Sequence, residues 1–226
     1  MIDGIDLKDV SFFKGLNDIE IEEIVPYLQH VSYKKREMVF SEGERSEWLY
    51  IVIEGKVKIT KLSNDGKEII LEIIQVGELF GAVAVFKDFP YPANAVAMEP
   101  TRALKVSRKD LLKLLDRYPT LMLSLTSIIG DRMKESYEML KSIALECVES
   151  RIASLLLKLA DKSTSVSDRG TVIDLRLTRQ DIADMVGTTV ETSIRTFSKF
   201  RKEGLISEHN GRIVITDRIG LQMYSQ

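Results

Sequence analysis

The chain has 226 residues, of which 44% are hydrophobic, a net charge of -2, one cysteine (Cys147) and two histidines (His30 and His209). This length admits one large domain or two modest ones, and the absence of an apolar run of about eighteen residues or of a basic, apolar leader predicts a cytoplasmic protein with no membrane partner. A single cysteine excludes an internal disulfide, an iron-sulfur cluster and an all-cysteine metal site, so that only an axial haem ligand from His30 or His209 stays open.

Charge is uneven along the chain. From residue 148 onward 12 Lys and Arg stand against 10 Asp and Glu, whereas before it 20 stand against 24. The C-terminal third is thus the part biased toward an anionic partner.

Leu16 to Leu28 reads as a short helix capped by Asn17 or Asp18. From Met38 to Lys105 short apolar stretches alternate with glycine turns. Period-two alternation is clear in Val57-Lys58-Ile59-Thr60 and around Ile69 to Ile74, and Asn64-Asp65-Gly66 is a hairpin signal. This is the pattern of an antiparallel roll or barrel.

After Pro119 the period becomes helical. Met122, Leu125, Ile129, Met133, Leu140 and Ile143 recur at steps of three and four, with Ser136 in the remaining slot. Such a seam pairs a helix with its own copy, and packing of the helix on its own domain is the competing reading. The chain divides accordingly into a sensor roll (1–117), a dimerisation helix (118–145) and a C-terminal module (146–226). In the last, Val148 to Ala160 reads as a helix and the polar run from Lys162 to Gly170 as a solvated loop.

The segment from Leu177 to Ile206 carries the chemistry. Thr178 is an N-cap, Ile182, Ala183 and Val186 form an apolar face, Gly187 permits a tight turn, and Thr189 caps a second helix. This is a helix-turn-helix pattern. In the second helix Val190, Ile194 and Phe197 are expected to pack inward, leaving Glu191, Thr192, Arg195, Lys199 and Lys202 exposed. An Arg can grip O6 and N7 of guanine with two hydrogen bonds, and a carboxylate accepts from the N4 amino group of cytosine. Arg195 and Glu191 are therefore the expected base readers, four residues apart so that Glu191 can steady the guanidinium. Thr189, Val190 and Thr192 complete the base-reading set. Leu205 to Thr216 reads as two strands about Asn210-Gly211, a β wing. Thr178, Arg179, Lys199, Arg201, Lys202 and Arg212 are candidate phosphate contacts.

These features resemble the cAMP receptor protein and FNR (CRP/FNR) family over essentially the whole chain. The match rests on the glycine-punctuated roll, Gly77-Glu78-Leu79-Phe80-Gly81, the long helix after Tyr118-Pro119, the Arg151-Ile-Ala-Ser-Leu-Leu helix, and Thr178-Arg-Gln-Asp-Ile with Val190-Glu-Thr. The resemblance implies an α+β fold: a cyclic-nucleotide-binding-like antiparallel roll, a long dimerisation helix and a winged helix-turn-helix. It further implies a homodimer on palindromic double-stranded DNA, contact with RNA polymerase, and an effector between roll and long helix. Glu191 and Arg195 match the family's base-reading pair. Val190 matches the FNR branch and favours a half-site like TTGA, whereas Ile194 replaces that branch's Ser and leaves the outer bases unassigned.

In the sensor the resemblance breaks down. The cyclic-nucleotide version follows its glycine with a Glu for the ribose and later has Arg-Ser for the phosphate; here Ala82 and Pro92-Ala93 stand at those positions. Loss of a bidentate, charge-assisted partner argues against cAMP. Leu79, Phe80, Val83, Phe86, Phe89, Tyr91, Ala93 and Asn94, with Met133 and Tyr137, would instead border an apolar pocket for a small or gaseous effector, with core packing as the competing reading. No glycine-rich phosphate loop, paired histidines or activated nucleophile points to an enzyme. A regulator without an effector, controlled by abundance, is the remaining alternative.

Overall fold

A computed structural model describes residues 6–64, 66–163, 166–167 and 170–225. The chain forms two compact units, one ending at Glu135 and one starting at Ser136, and a single long helix contributes to both.

The first unit opens with two 3-10 turns, Leu7–Asp9 and Ser11–Phe13. In α1 (Asp18–Ile24), Asn17 Oδ1 accepts from the Glu20 amide and the Glu20 carboxylate accepts from the Asn17 amide. This helix is shorter than expected because Pro26, which has no amide proton, lies in a 3-10 turn at Val25–Tyr27. There follow β1 (Gln29–Tyr33), β2 (Met38–Phe40), β3 (Trp48–Glu54), β4 (Val57–Leu62), β5 (Glu68–Ile74), β6 (Leu79–Phe80), α2 (Ala82–Lys87), β7 (Asn94–Ala97), β8 (Thr101–Ser107) and α3 (Arg108–Arg117). The strands make two four-stranded antiparallel sheets, ordered β1-β8-β3-β6 and β2-β7-β4-β5. Together they are the roll read from glycine spacing. Asn64 and Gly66 lie in the β4–β5 hairpin turn, while Asp65 falls outside the described residues. A bulge opposite Ile59 and Thr60 leaves Leu71 unpaired between Ile70 and Glu72. Sequence spacing did not announce α2; Gly81, at φ +78°, turns the chain out of β6 into it.

The long helix is α4 (Pro119–Leu145). Leu121 and Leu125 are fully buried in the core of the first unit, and Met122 and Ile128 pack against that core. This corrects the expected seam at Leu125. A stripe of period 3.5 drifts around a helix of 3.6 residues per turn, and at its N-terminal end one edge faces the roll. Ile129, Met133, Leu140 and Ile143 remain exposed.

The second unit contains α5 (Val148–Asp161), β9 (Val166–Ser167), β10 (Gly170–Val172), α6 (Arg179–Val186), α7 (Val190–Lys202), β11 (Ile206–His209), β12 (Arg212–Ile215) and α8 (Arg218–Tyr224). Its sheet runs β11-β12-β10-β9. The polar run 162–170, expected as a loop, lies partly outside the described residues. Val166–Ser167 pairs with β10 and β10 with β12, so strand pairing orders part of this segment. Ile152, Leu156, Ile182, Phe197, Phe200, Ile213 and Leu221 form the buried interior. No helix among the described residues is long and apolar enough to cross a membrane.

Candidate nucleic-acid interface and sensor interior

The helix-turn-helix is built from local signals. Thr178 caps α6 reciprocally with Asp181, and Gly187 ends it at φ +65°, a left-handed conformation that a side chain resists. Thr189 then caps α7 by accepting from the Thr192 amide. Across the turn, Arg151 Nη1 donates to the Val186 carbonyl at 2.7 Å, so α5 satisfies an end carbonyl of α6.

Helix α7 is rotated from the expected position. Its inward face is Ser193, Thr196, Phe197 and Phe200, all buried, and Ile194 is half exposed. Phe197 and Phe200, fully buried, set the inward face, and the small Ser193 and Thr196 on the same side are buried with them. Glu191, Ile194, Arg195 and Ser198 therefore share one exposed face, at steps of three, one and three. Sequence reading placed Ile194 inward and passed over Ser198. The pair of buried Phe residues at 197 and 200 was the signal that could have set the rotation.

The two base-reading candidates are held separately. Arg195 Nη2 donates to Thr192 Oγ1 at 3.3 Å instead of reaching Glu191. The Glu191 carboxyl is held below its usual range by its own backbone amide first, then by the Thr189 hydroxyl and the charge of Arg195. It stays an ionised acceptor in the first turn of the helix, where the positive end of the dipole also favours it. Val190 is half-buried at the start of the helix, and the Thr189 and Thr192 hydroxyls lie 3.1 Å apart.

The candidate phosphate contacts fall into two groups. Arg179 pairs with Glu208 of the wing and lies 3.8 Å from the Phe197 ring centroid, Lys199 binds Glu149 at 2.6 Å, and Arg212 meets Asp174 at 3.4 Å. Glu149, aided by the Tyr224 hydroxyl, raises Lys199 above the usual lysine range. These side chains tie α5, α6, α7, α8 and the wing to one another. Arg201 and Lys202, by contrast, are exposed with no ion pair among the described residues, as is Arg176, which sequence reading omitted. The wing turns at Asn210 and Gly211, with φ +50° and +72°, as an Asn-Gly hairpin should. Because Phe197 is fully buried beneath the exposed face, Phe197→Ala is expected to cost about 3 to 5 kcal/mol. Chemical denaturation of the second unit's transition would show it.

In the roll, Leu79, Phe80, Tyr91 and Ala93 are buried, Asn94 and Phe86 are half-buried, and Val83 and Phe89 are exposed; Met133 and Tyr137, expected beside them, are exposed on α4. Phe40 stacks on Tyr91 with ring centroids 3.7 Å apart, and Tyr50 stacks on Phe80 at 5.1 Å. The Tyr91 hydroxyl donates to the Trp48 carbonyl at 2.6 Å and accepts from the Trp48 amide at 3.2 Å. Burial pushes the phenols of Tyr50 and Tyr91 up to about 12. Ala82 and Ala93 are buried and bring neither a carboxylate nor a hydroxyl to this interior. His30 and His209 are both exposed. Tyr91→Phe is expected to lose about 1 to 3 kcal/mol by leaving Trp48 backbone groups unpaired, read as a lower denaturation midpoint with unchanged slope.

Comparison with known proteins follows the same division. Residues 30–118 match the family described as "Cyclic nucleotide-binding domain", and residues 150–224 match "Crp-like helix-turn-helix domain". A CRP-like cAMP-activated global transcriptional regulator of Mycobacterium tuberculosis is 28% identical over 93% of this chain and 94% of its own. The cyclic AMP receptor protein of Thermus thermophilus has the same identity over the same shares. Among solved structures, FixK2 from Bradyrhizobium japonicum superposes with a TM-score of 0.79 at 24% identity, over 88% of this chain and 98% of that one. A CooA mutant from Carboxydothermus hydrogenoformans gives 0.78 at 21% identity, over 99% and 97%. At these identities the two structures establish the fold.

Proposed function

Because the chain belongs to the CRP/FNR family of transcription regulators, we propose that it acts as a homodimer on a two-fold symmetric DNA site, switched by a small effector other than cAMP. The exposed α7 face carries this reading: Glu191 and Arg195 present an acceptor and a bidentate donor above a rigid aromatic core. Each recognition helix enters a major groove, and pairing along α4 sets the spacing of the two. Effector binding shifts a pre-existing balance between arrangements that match that spacing and arrangements that do not. The bound dimer then recruits RNA polymerase or blocks a promoter.

Selection of bound duplexes from a random pool tests the reading directly. Enrichment of a symmetric site with TTGA-like half-sites supports it, and an asymmetric or absent site removes it. Lys202→Ala, at an exposed cation, should weaken binding to all duplexes alike and lower the salt dependence by about one counterion per site; a sequence-selective loss would reassign that residue. The stacked Phe40 and Tyr91 rings favour a second reading, in which the roll needs no effector and abundance sets activity. Identical DNA affinity before and after addition of cell metabolites would select it.

A further inference from the structure

Helix α2 and the strand β6 that leads into it are each held by an arginine of another helix. From α3, Arg108 Nε donates to the Val85 carbonyl at 3.0 Å and lies 3.3 Å from Asp88. From α4, Arg132 donates to the carbonyl of Leu79, two residues before the Gly81 turn, and its Nε lies 3.0 Å from the Glu72 carboxylate. Both side chains of the Arg132–Glu72 pair are more than two-thirds buried, at 29% and 28% exposure. Glu72 directly follows the bulged Leu71, and a bulge re-aims the residues beside it. Arg132 itself stands three residues before the point at which α4 passes from the first unit to the second.

We propose that Arg132 is a positioning residue through which the segment from Leu79 to Lys87 controls the long helix, and that Glu72 supplies its counter-charge from within the chain. A guanidinium this far from solvent needs both a charge partner and hydrogen-bond acceptors. A carboxylate at the bulge and a main-chain carbonyl provide them. Movement of α2 pulls on the Leu79 carbonyl and hence on α4, while displacement of α4 loosens the entry to α2. The clasp deepens the proposed switch, but its first test does not depend on DNA binding.

Hydrogen exchange on the full chain, without added ligand, measures the coupling. Arg132→Gln should speed exchange within Ala82–Lys87, and Glu72→Gln should speed it in α4 around Ile128 to Glu135, each by about five-fold or more. The double variant should be no worse than Arg132→Gln alone, because both remove one clasp. Asp88→Asn, at the other pin, should leave α4 unchanged. Arg132→Lys, which keeps the charge and loses the fork, should speed exchange in Ala82–Lys87 less than Arg132→Gln does. Additive single effects, or an α4 indifferent to Glu72→Gln, would overturn the proposal. On the selected duplex the same variants should shift affinity about five-fold or more; altered exchange with unaltered affinity would reduce the clasp to a structural brace. Failure of the wild-type protein to bind DNA would instead refute the functional reading and leave the exchange result to decide the clasp.

Discussion

Arg195→Ala should erase the preference for a G·C pair in each half-site while leaving non-specific binding nearly intact. The guanidinium is exposed on α7, and its hydrogen bond to Thr192 Oγ1, at 3.3 Å, is weak enough to exchange for a base edge. A bidentate contact to guanine is worth about 1 to 3 kcal/mol, so over two half-sites the discrimination lost is about 30-fold or more. Competition binding with the selected duplex and with one substituted at that pair measures it. The fold should not change, because the side chain packs against nothing buried. Undiminished discrimination would move the base-reading role elsewhere on the face, to Ile194 or Ser198. Glu191→Gln tests the companion role: an amide that can also donate should relax preference for cytosine without the uniform loss expected at Lys202.

Leu140→Asp should convert the proposed dimer to monomers. Leu140 is 63% exposed in the single chain, so the substitution leaves the protomer's core untouched. On a two-fold seam it removes two leucines from the contact and sets two carboxylates against each other, at a cost of about 3 to 6 kcal/mol. Sedimentation at micromolar concentration should then give the mass of one chain, and affinity for the symmetric duplex should fall by about two orders of magnitude or more, since each half-site binds alone. Leu125→Ala makes the contrast. That side chain is 2% exposed and packed in the first unit, so its loss should lower protomer stability by about 2 to 5 kcal/mol and leave the dimer assembled. A dimer that survives Leu140→Asp would place the contact off this stripe.

Local chemistry was legible in the letters. The capping residues Asn17, Thr178 and Thr189, the left-handed Gly187, the Asn210-Gly211 turn and the period-two runs of β4 and β5 all appear where the sequence puts them. The caps and turns depend on interactions within about four residues, and the two strands are joined by one short hairpin, so all are set close by in the chain. The division into roll, long helix and winged helix-turn-helix follows from similar signals, because periodicity changes at Pro119 and a new helix starts after Cys147.

Tertiary packing decided the rest. Which face of α7 turns inward depends on what packs against it, and only the folded unit shows Ser193 and Thr196 inside and Ile194 outside. Which cations remain free for phosphate depends on acids far away in sequence: Glu149 claims Lys199 and Glu208 claims Arg179, while Arg201 and Lys202 stay exposed. Leu125 and Ile129 look alike in a heptad, yet the roll covers one and not the other. The Arg132–Glu72 clasp joins residues 60 positions apart through a bulge that no periodicity predicts. The sequence by itself determined the elements, their caps and the chemical kinds of side chain on offer, because those rest on local sterics and hydrogen bonding. Only the tertiary structure decided which of those side chains are neutralised, buried or presented, because burial and ion pairing depend on neighbours that the chain brings together by folding.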